Sequence, residues 1–226
     1  MKVEAVVFDL DGVIVNTVPY YYKSTKKVAD EMGVPFTEED NLAYQGRPRL
    51  DLIDALANRS DRTYSYQEKI DLGERKNRYY QEYISSLSEK NIMPGILPFL
   101  EETKQADIPI ALASSSSNAR MVLKKLGLTD YFSIIMNPKE LKKGKPDPEI
   151  FLSAADQLGV KYNQCVAIED GEAGLEAILA TSMFSVGVGT ASFLQQADWH
   201  IESTRELSLD TLQEKVNIKE EHRPSE

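Results

Sequence analysis

The sequence predicts an α/β protein: a doubly wound parallel sheet with an inserted helical cap after its first strand. Three observations carry this. Short apolar runs alternate with helix-like segments from residue 93 to about 190. Three of those runs, counting the first, stop abruptly at polar residues: Asp9 and Asp11, then Ser114, then Glu169 and Asp170. Residues 17–90 break the alternation with a polar, tyrosine-rich stretch of helical patterns and no convincing strand.

The elements follow in order. Residues 3–8 are short, apolar and β-branched, and they end at the turn-forming Asp9-Leu10-Asp11-Gly12. Within the insertion, Thr37-Glu38-Glu39-Asp40 predicts a helix start, and Gly46-Arg47-Pro48 predicts a break. Met93-Pro94-Gly95 returns the chain to alternating order, with a helix to about Ala106. A strand spans 108–113, a helix about 118–127 and a strand 132–136. A helix over about 148–158 leads to a strand at 164–168. Leu175 to Ala180 is helical, and Phe184 to Val188 is a strand. Domain boundaries are expected at 1–15 and 92–226 for the sheet domain and 16–91 for the cap. Residues 219–226 read as a frayed polar tail.

Composition excludes some functions. The 226 residues carry 26 Lys and Arg against 36 Asp and Glu, a net charge of −10. Such a surface disfavours DNA and anionic membranes, so no nucleic-acid or membrane partner is expected. The single cysteine, Cys165, sits in an apolar strand, which excludes an intrachain disulfide and reads as a core thiol. No signal-like segment precedes the first strand, and no apolar run approaches a membrane span, so a cytoplasmic protein is expected. A monomer is expected, acting on a phosphorylated small molecule.

In an open α/β sheet the C-terminal strand ends form the ligand crevice. The predicted topology therefore gathers Asp9, Asp11, Glu169 and Asp170. Four carboxylates in one crevice repel each other unless a cation lies among them, and their hard oxygens suit Mg²⁺. Lys145 can neutralise a nucleophile and the oxygens of a phosphoryl group. Ser114 and the backbone after Asp9 can donate hydrogen bonds to those oxygens. Asp9 and Asp11, two apart, can flank one phosphorus atom. One attacks, and the other protonates the leaving oxygen and then deprotonates the incoming hydroxyl. Gly12 permits the close backbone approach this needs.

Four motifs, in order, resemble those of the haloacid dehalogenase superfamily. They are Phe8-Asp9-Leu10-Asp11-Gly12-Val13, Leu112-Ala113-Ser114-Ser115-Ser116, Lys143-Gly144-Lys145-Pro146-Asp147-Pro148 and Ile168-Glu169-Asp170-Gly171. Within the superfamily the chain is most similar to the β-phosphoglucomutases. Gly46 with Arg49, Arg75-Lys76-Asn77-Arg78, Pro94-Gly95-Ile96, Asn118 and Gly187-Val188-Gly189 add to that likeness. The resemblance implies a Rossmann-like core, a helical cap and Mg²⁺. It implies interconversion of β-glucose 1-phosphate and glucose 6-phosphate through a bisphosphate. By position, Asp9 is the nucleophile and Asp11 the acid/base. Asp9, the Asp11 carbonyl and Asp170 hold the metal, with Glu169 in support. Arg49, Ser116 and Asn118 grip the distal phosphate, and Thr17 is a hinge residue contacting Asp11.

Gly46, Lys76 and Ser115 complete the candidate substrate contacts. Lys76 reads equally well as part of a charged helix face, and Ser115, like Ser117, as a loop or helix-cap residue. Lys142 and Lys143 read as solvated. The cap departs from the family pattern where Tyr21 replaces a His, Gln45 a Lys, Asn16 an Asp and Leu52 a Ser. Tyr21, Gln45 and Leu52 are therefore the candidate specificity positions, and a plain phosphatase acting on a sugar phosphate is the competing expectation.

Overall fold

The computed structural model describes residues 2–44 and 47–221. Among them, six parallel strands form one sheet in the order β3-β2-β1-β4-β5-β6. The strands are β1 (Ala5–Phe8), β2 (Ile110–Leu112), β3 (Ile134–Ile135), β4 (Cys165–Glu169), β5 (Phe184–Val188) and β6 (Trp199–Ile201). The chain lays β2 and β3 on one side of β1, then returns to lay β4, β5 and β6 on the other. The order reverses between β1 and β4, whose register pairs Phe8 with Ile168. Asp9 and Glu169 come next on the two strands, at the switch point where such sheets bind ligands.

Period-two alternation sorts the strand residues onto two faces. Val6, Phe8, Ile110, Leu112, Val166 and Ile168 point to one face. The helices α5 (Ile96–Gln105), α6 (Ala119–Leu126) and α9 (Leu209–Glu221) cover it, through residues such as Phe99, Leu123 and Leu212. The opposite face carries small side chains, Ala5, Ala111, Ala113, Cys165 and Ala167. It is covered by α7 (Glu149–Leu158) and α8 (Glu172–Leu179), through Phe151 and Ile178. Cys165 is fully buried, and burial pushes its thiol up to about 12, as a core thiol requires.

Between β1 and α5 lie α1 (Val18–Glu31), α2 (Glu38–Ala43), α3 (Arg49–Asn58) and α4 (Tyr66–Ile84). Reciprocal side-chain-to-backbone bonds cap α2 through Thr37 with Asp40, and α4 through Ser65 with Glu68. These helices bury a hydrophobic cluster of their own, including Val28, Phe36, Ile53, Leu56 and Leu72. The chain leaves the sheet layer and re-enters it at one place: Val15 bridges to Ile92, and the Met93 N–H donates to the Ile14 carbonyl at 2.8 Å.

Two elements were not anticipated. One is β6, at the edge of the sheet. The other is α9, which carries the tail as ordered helix to Glu221, with Lys219 paired to Asp198 at 2.6 Å. The third strand is also shorter than expected, two residues rather than 132–136.

Candidate active site

Asp9 ends the central strand and is 6% exposed. Its Oδ1 accepts from Lys145 Nζ at 2.6 Å, and its Oδ2 accepts the Asp11 backbone N–H at 2.9 Å. Lys145 also donates to Glu169 Oε2 at 2.8 Å, so one buried ammonium bridges two carboxylates. The other Glu169 oxygen accepts the backbone N–H groups of Asp170 and Gly171 at 3.0 and 2.9 Å. Lys145 is itself 2% exposed and lies over the Phe151 ring.

One cation against so many carboxylates leaves a local excess of negative charge. Burial first, and Glu169 second, push the Asp9 carboxyl up to about 8 against the pull of Lys145. Burial also raises Asp11, to about 6, although two hydroxyls oppose the shift. Lys145 is held above its ordinary range, since its partners outweigh its burial.

One oxygen from each of Asp9, Glu169 and Asp170 lies within 4.8 Å of the others. Hard carboxylate oxygens this close, with only one buried ammonium between two of them, fit a divalent cation such as Mg²⁺. Two glycines permit the cluster. Gly12 has φ +89°, and a Cβ there would lie 1.8 Å from Asp170 Oδ2. A Cβ at Gly174 would lie 1.8 Å from Glu169 Oε2. Gly174→Ala must therefore displace the Glu169 carboxylate. We expect it to weaken Mg²⁺ binding about 10-fold or more, as outer-shell disruptions do. Calorimetric titration with Mg²⁺ checks this, and unchanged affinity would disprove it.

The Asp11 carboxylate turns away from this cluster toward the cap helices. The hydroxyl of Thr17 donates to its Oδ1, and Tyr21 donates to its Oδ2 at 3.3 Å. Thr17 and Tyr21 are four apart at the start of α1, so both face the same way. Tyr21 stacks on Tyr80 at 4.3 Å, and Lys76 lies over its ring. Lys76 is 5% exposed, which overturns its reading as a charged helix face. Burial first, and Arg49 second, push its ammonium down to about 7.

A cavity of about 420 Å³ lies between the strand ends and the cap helices. Ser115, Ser116 and Asn118 line it from the sheet side, and Arg49, Leu52 and Lys76 from the cap side. Ser114, just past the end of β2, is buried, its hydroxyl accepting the Ser116 N–H at 3.1 Å. Polar bridges cross the cavity. Arg49 donates across it to Ser117 at 2.8 Å and, within the cap, to Asn77 at 2.9 Å. Asn118 donates to Asn77 at 2.8 Å and accepts from Gln81 at 2.9 Å. Ser117 is thus more than a loop residue, and Asn77 and Gln81 are contacts that the sequence reading passed over. Their four-residue spacing on α4, starting at the residue after Lys76, was the available signal. Gln45 and Gly46 lie outside the described residues.

A protein-family model described as haloacid dehalogenase-like hydrolase matches residues 3–180. The chain is 41% identical over 213 residues to the β-phosphoglucomutase of Bacillus subtilis, covering 93% of this chain and 94% of that one. It is 34% identical over 180 residues to a phosphorylated carbohydrates phosphatase of Thermotoga maritima, covering 77% of this chain and 79% of that one. The crystal structure of β-phosphoglucomutase from Clostridium difficile superposes with a TM-score of 0.94 at 37% identity, covering 97% of this chain and all of that one.

Proposed function

Because the chain belongs to the haloacid dehalogenase-like hydrolases, we propose that it is a Mg²⁺-dependent phosphomutase of the β-phosphoglucomutase kind, converting β-glucose 1-phosphate and glucose 6-phosphate into one another. The observation that carries the phosphoryl-transfer chemistry, common to mutase and phosphatase, is the division of labour between Asp9 and Asp11, and the likeness to β-phosphoglucomutase favours the mutase. Asp9 faces Lys145 and the acidic cluster, while Asp11 is held apart by two cap hydroxyls.

In this reading an Asp9 oxygen attacks one phosphorus of the sugar bisphosphate, and the bond from that phosphorus to the sugar oxygen breaks, leaving a sugar monophosphate and the aspartyl-phosphate. Asp11 delivers a proton to that leaving oxygen. Asp11 then takes the proton from the free hydroxyl of a β-glucose 1-phosphate, whose oxygen attacks the aspartyl-phosphate, so that the bisphosphate forms and Asp9 is freed. With its carboxyl near 6, Asp11 can run in both directions close to neutrality. Mg²⁺, held by Asp9, Asp170 and the Asp11 carbonyl and supported by Glu169, would screen the charge of the transferring group. Lys145 would meet an equatorial oxygen of that group, and Ser114 and Ser115 would donate to its neighbours. Arg49, with Ser116 and Asn118, would grip the distal phosphate. Lys76 would face the sugar from the cap side.

The domain division follows: residues 16–91 act as a cap on a core of 1–15 and 92–226. The separate cap cluster and the adjacent crossings at Val15 and Ile92 support it. We take the protein as a cytoplasmic monomer. No helix among the described residues is long and apolar enough to cross a membrane.

Leu52 gives the phosphatase reading its specific support, since it presents an apolar wall where a hydroxyl reader is expected. Turnover of β-glucose 1-phosphate with Mg²⁺ and a trace of sugar bisphosphate separates the two. The mutase accumulates glucose 6-phosphate well ahead of free phosphate. Free phosphate with no glucose 6-phosphate would overturn the proposal.

A further inference from the structure

The cavity mouth carries an excess of positive charge that the chemistry above does not use. Seven cationic side chains line the cavity against four carboxylates, in a chain whose net charge is −10. Three of them, Lys76, Arg49 and Lys145, lie inside. The other four, Arg47, Lys139, Lys142 and Lys143, are exposed.

The acidic residues close to these four do not cancel them. Lys143 pairs with Asp147 at 3.2 Å. Glu149 spends its carboxylate on the backbone N–H groups of Lys142 and Lys143. Glu140 accepts from Asn137. Asp51 is exposed, with Arg47 and Lys143, along an outer recess on the same side. No carboxylate among the described residues pairs with Arg47, Lys139 or Lys142. The two lips meet: a Cβ at Gly144 would lie 2.9 Å from Pro48 Cγ, so the Arg47 side of the cap faces the lysine segment of the core.

We propose that Arg47, Lys139 and Lys142 form an outer anion site that holds a bisphosphorylated sugar at the mouth of the cavity. The proposal rests on the phosphomutase reading. In that reaction the two phosphates of the intermediate must exchange places, so the molecule has to leave both inner grips and turn end for end. Each phosphate carries about −1.5 to −2 charges at neutral pH, so the turning molecule is nearly a tetra-anion. Within a Debye length of about 8 Å, flexible unpaired cations on both lips attract it far more than a monophosphate. They retain it through the turn without fixing an orientation. Long, exposed cationic side chains suit that task better than a rigid pocket.

The test is the triple variant R47Q/K139Q/K142Q, assayed with glucose 1,6-bisphosphate as primer. The concentration of primer giving half-maximal mutase activity is expected to rise about ten-fold at low salt. Its dependence on salt should flatten, and the loss should fall on primer concentration rather than on turnover at saturation. K139R/K142R should keep wild-type values. A shift under about two-fold, or a loss confined to turnover, would overturn the outer site. If the wild type proves to be a phosphatase with no primer requirement, inhibition by fructose 1,6-bisphosphate replaces the primer assay. A weakened inhibition constant in the triple variant then still supports the site, and an unchanged constant rejects it.

Discussion

Asp9→Asn is expected to abolish turnover, by about 10⁴-fold or more, while the protein keeps its fold. An amide is no nucleophile toward phosphorus, and among the described residues no other carboxylate stands where Asp9 stands. Glu169 is tied to Lys145 and two backbone N–H groups, and Asp11 to Thr17 and Tyr21. The structural cost is small. Both Asp9 oxygens accept from donors, so the new amide must turn its NH₂ against one of them, costing about 1–3 kcal/mol. Relief of repulsion with Glu169 offsets part of this. Turnover with a superimposable circular-dichroism spectrum checks it, and retained activity would remove Asp9 from its role.

The same variant makes a prediction about pH. Without metal, the Asp9 carboxyl titrates near 8 in the folded protein, against the ordinary 3.8 of the unfolded chain. Between those values the folded state holds a proton that the unfolded state has released. Stability from this group is therefore complete below pH 4 and is lost as pH rises through 8. The melting temperature in EDTA should fall over that interval, and Asp9→Asn should flatten the fall. Mg²⁺ should restore the wild type most strongly at the upper end, where it takes the place of the proton.

Much of this site was legible in the sequence because it hangs on strand ends. A buried strand that stops at a carboxylate announces both its place and its chemistry, so Asp9, Glu169 and Asp170 could be brought together from topology alone, whereas Lys145, in the loop after β3, was legible from its motif. The elements missed were those with weak local signals. Three residues, Trp199 to Ile201, are too few to show alternation, and β6 depends on pairing with β5. In α9 the buried residues reduce to Leu212 and Val216, one turn apart in a charged segment. The cap contacts were hidden for a different reason. That Tyr21 reaches Asp11, that Asn77 meets Asn118 and that Lys76 is buried all depend on how α1 and α4 sit over the sheet. Periodicity says which face of a helix is apolar, but not which strand end lies beneath it.

Lys145→Met is the change with the largest expected effect on stability. Lys145 is the buried cation between Asp9 and Glu169, at 2.6 and 2.8 Å. Removing one member of a buried ionic group costs about 3–5 kcal/mol, because the partners are left without a counter-charge. The folded protein meets that cost by holding its Asp9 proton more tightly, so metal-free stability should fall more steeply than in the wild type as pH rises toward 8. Turnover should drop about 10²- to 10³-fold through loss of the charge that faces the transferring group. The decisive measurement is a double-mutant cycle without metal. If Lys145 acts chiefly by neutralising Asp9, then D9N/K145M is more stable than K145M alone, because the amide removes the charge that the lysine no longer balances. Simple additivity of the two substitutions would show that Lys145 is held by its packing against Phe151, and that the ionic bridge contributes little to the folded state.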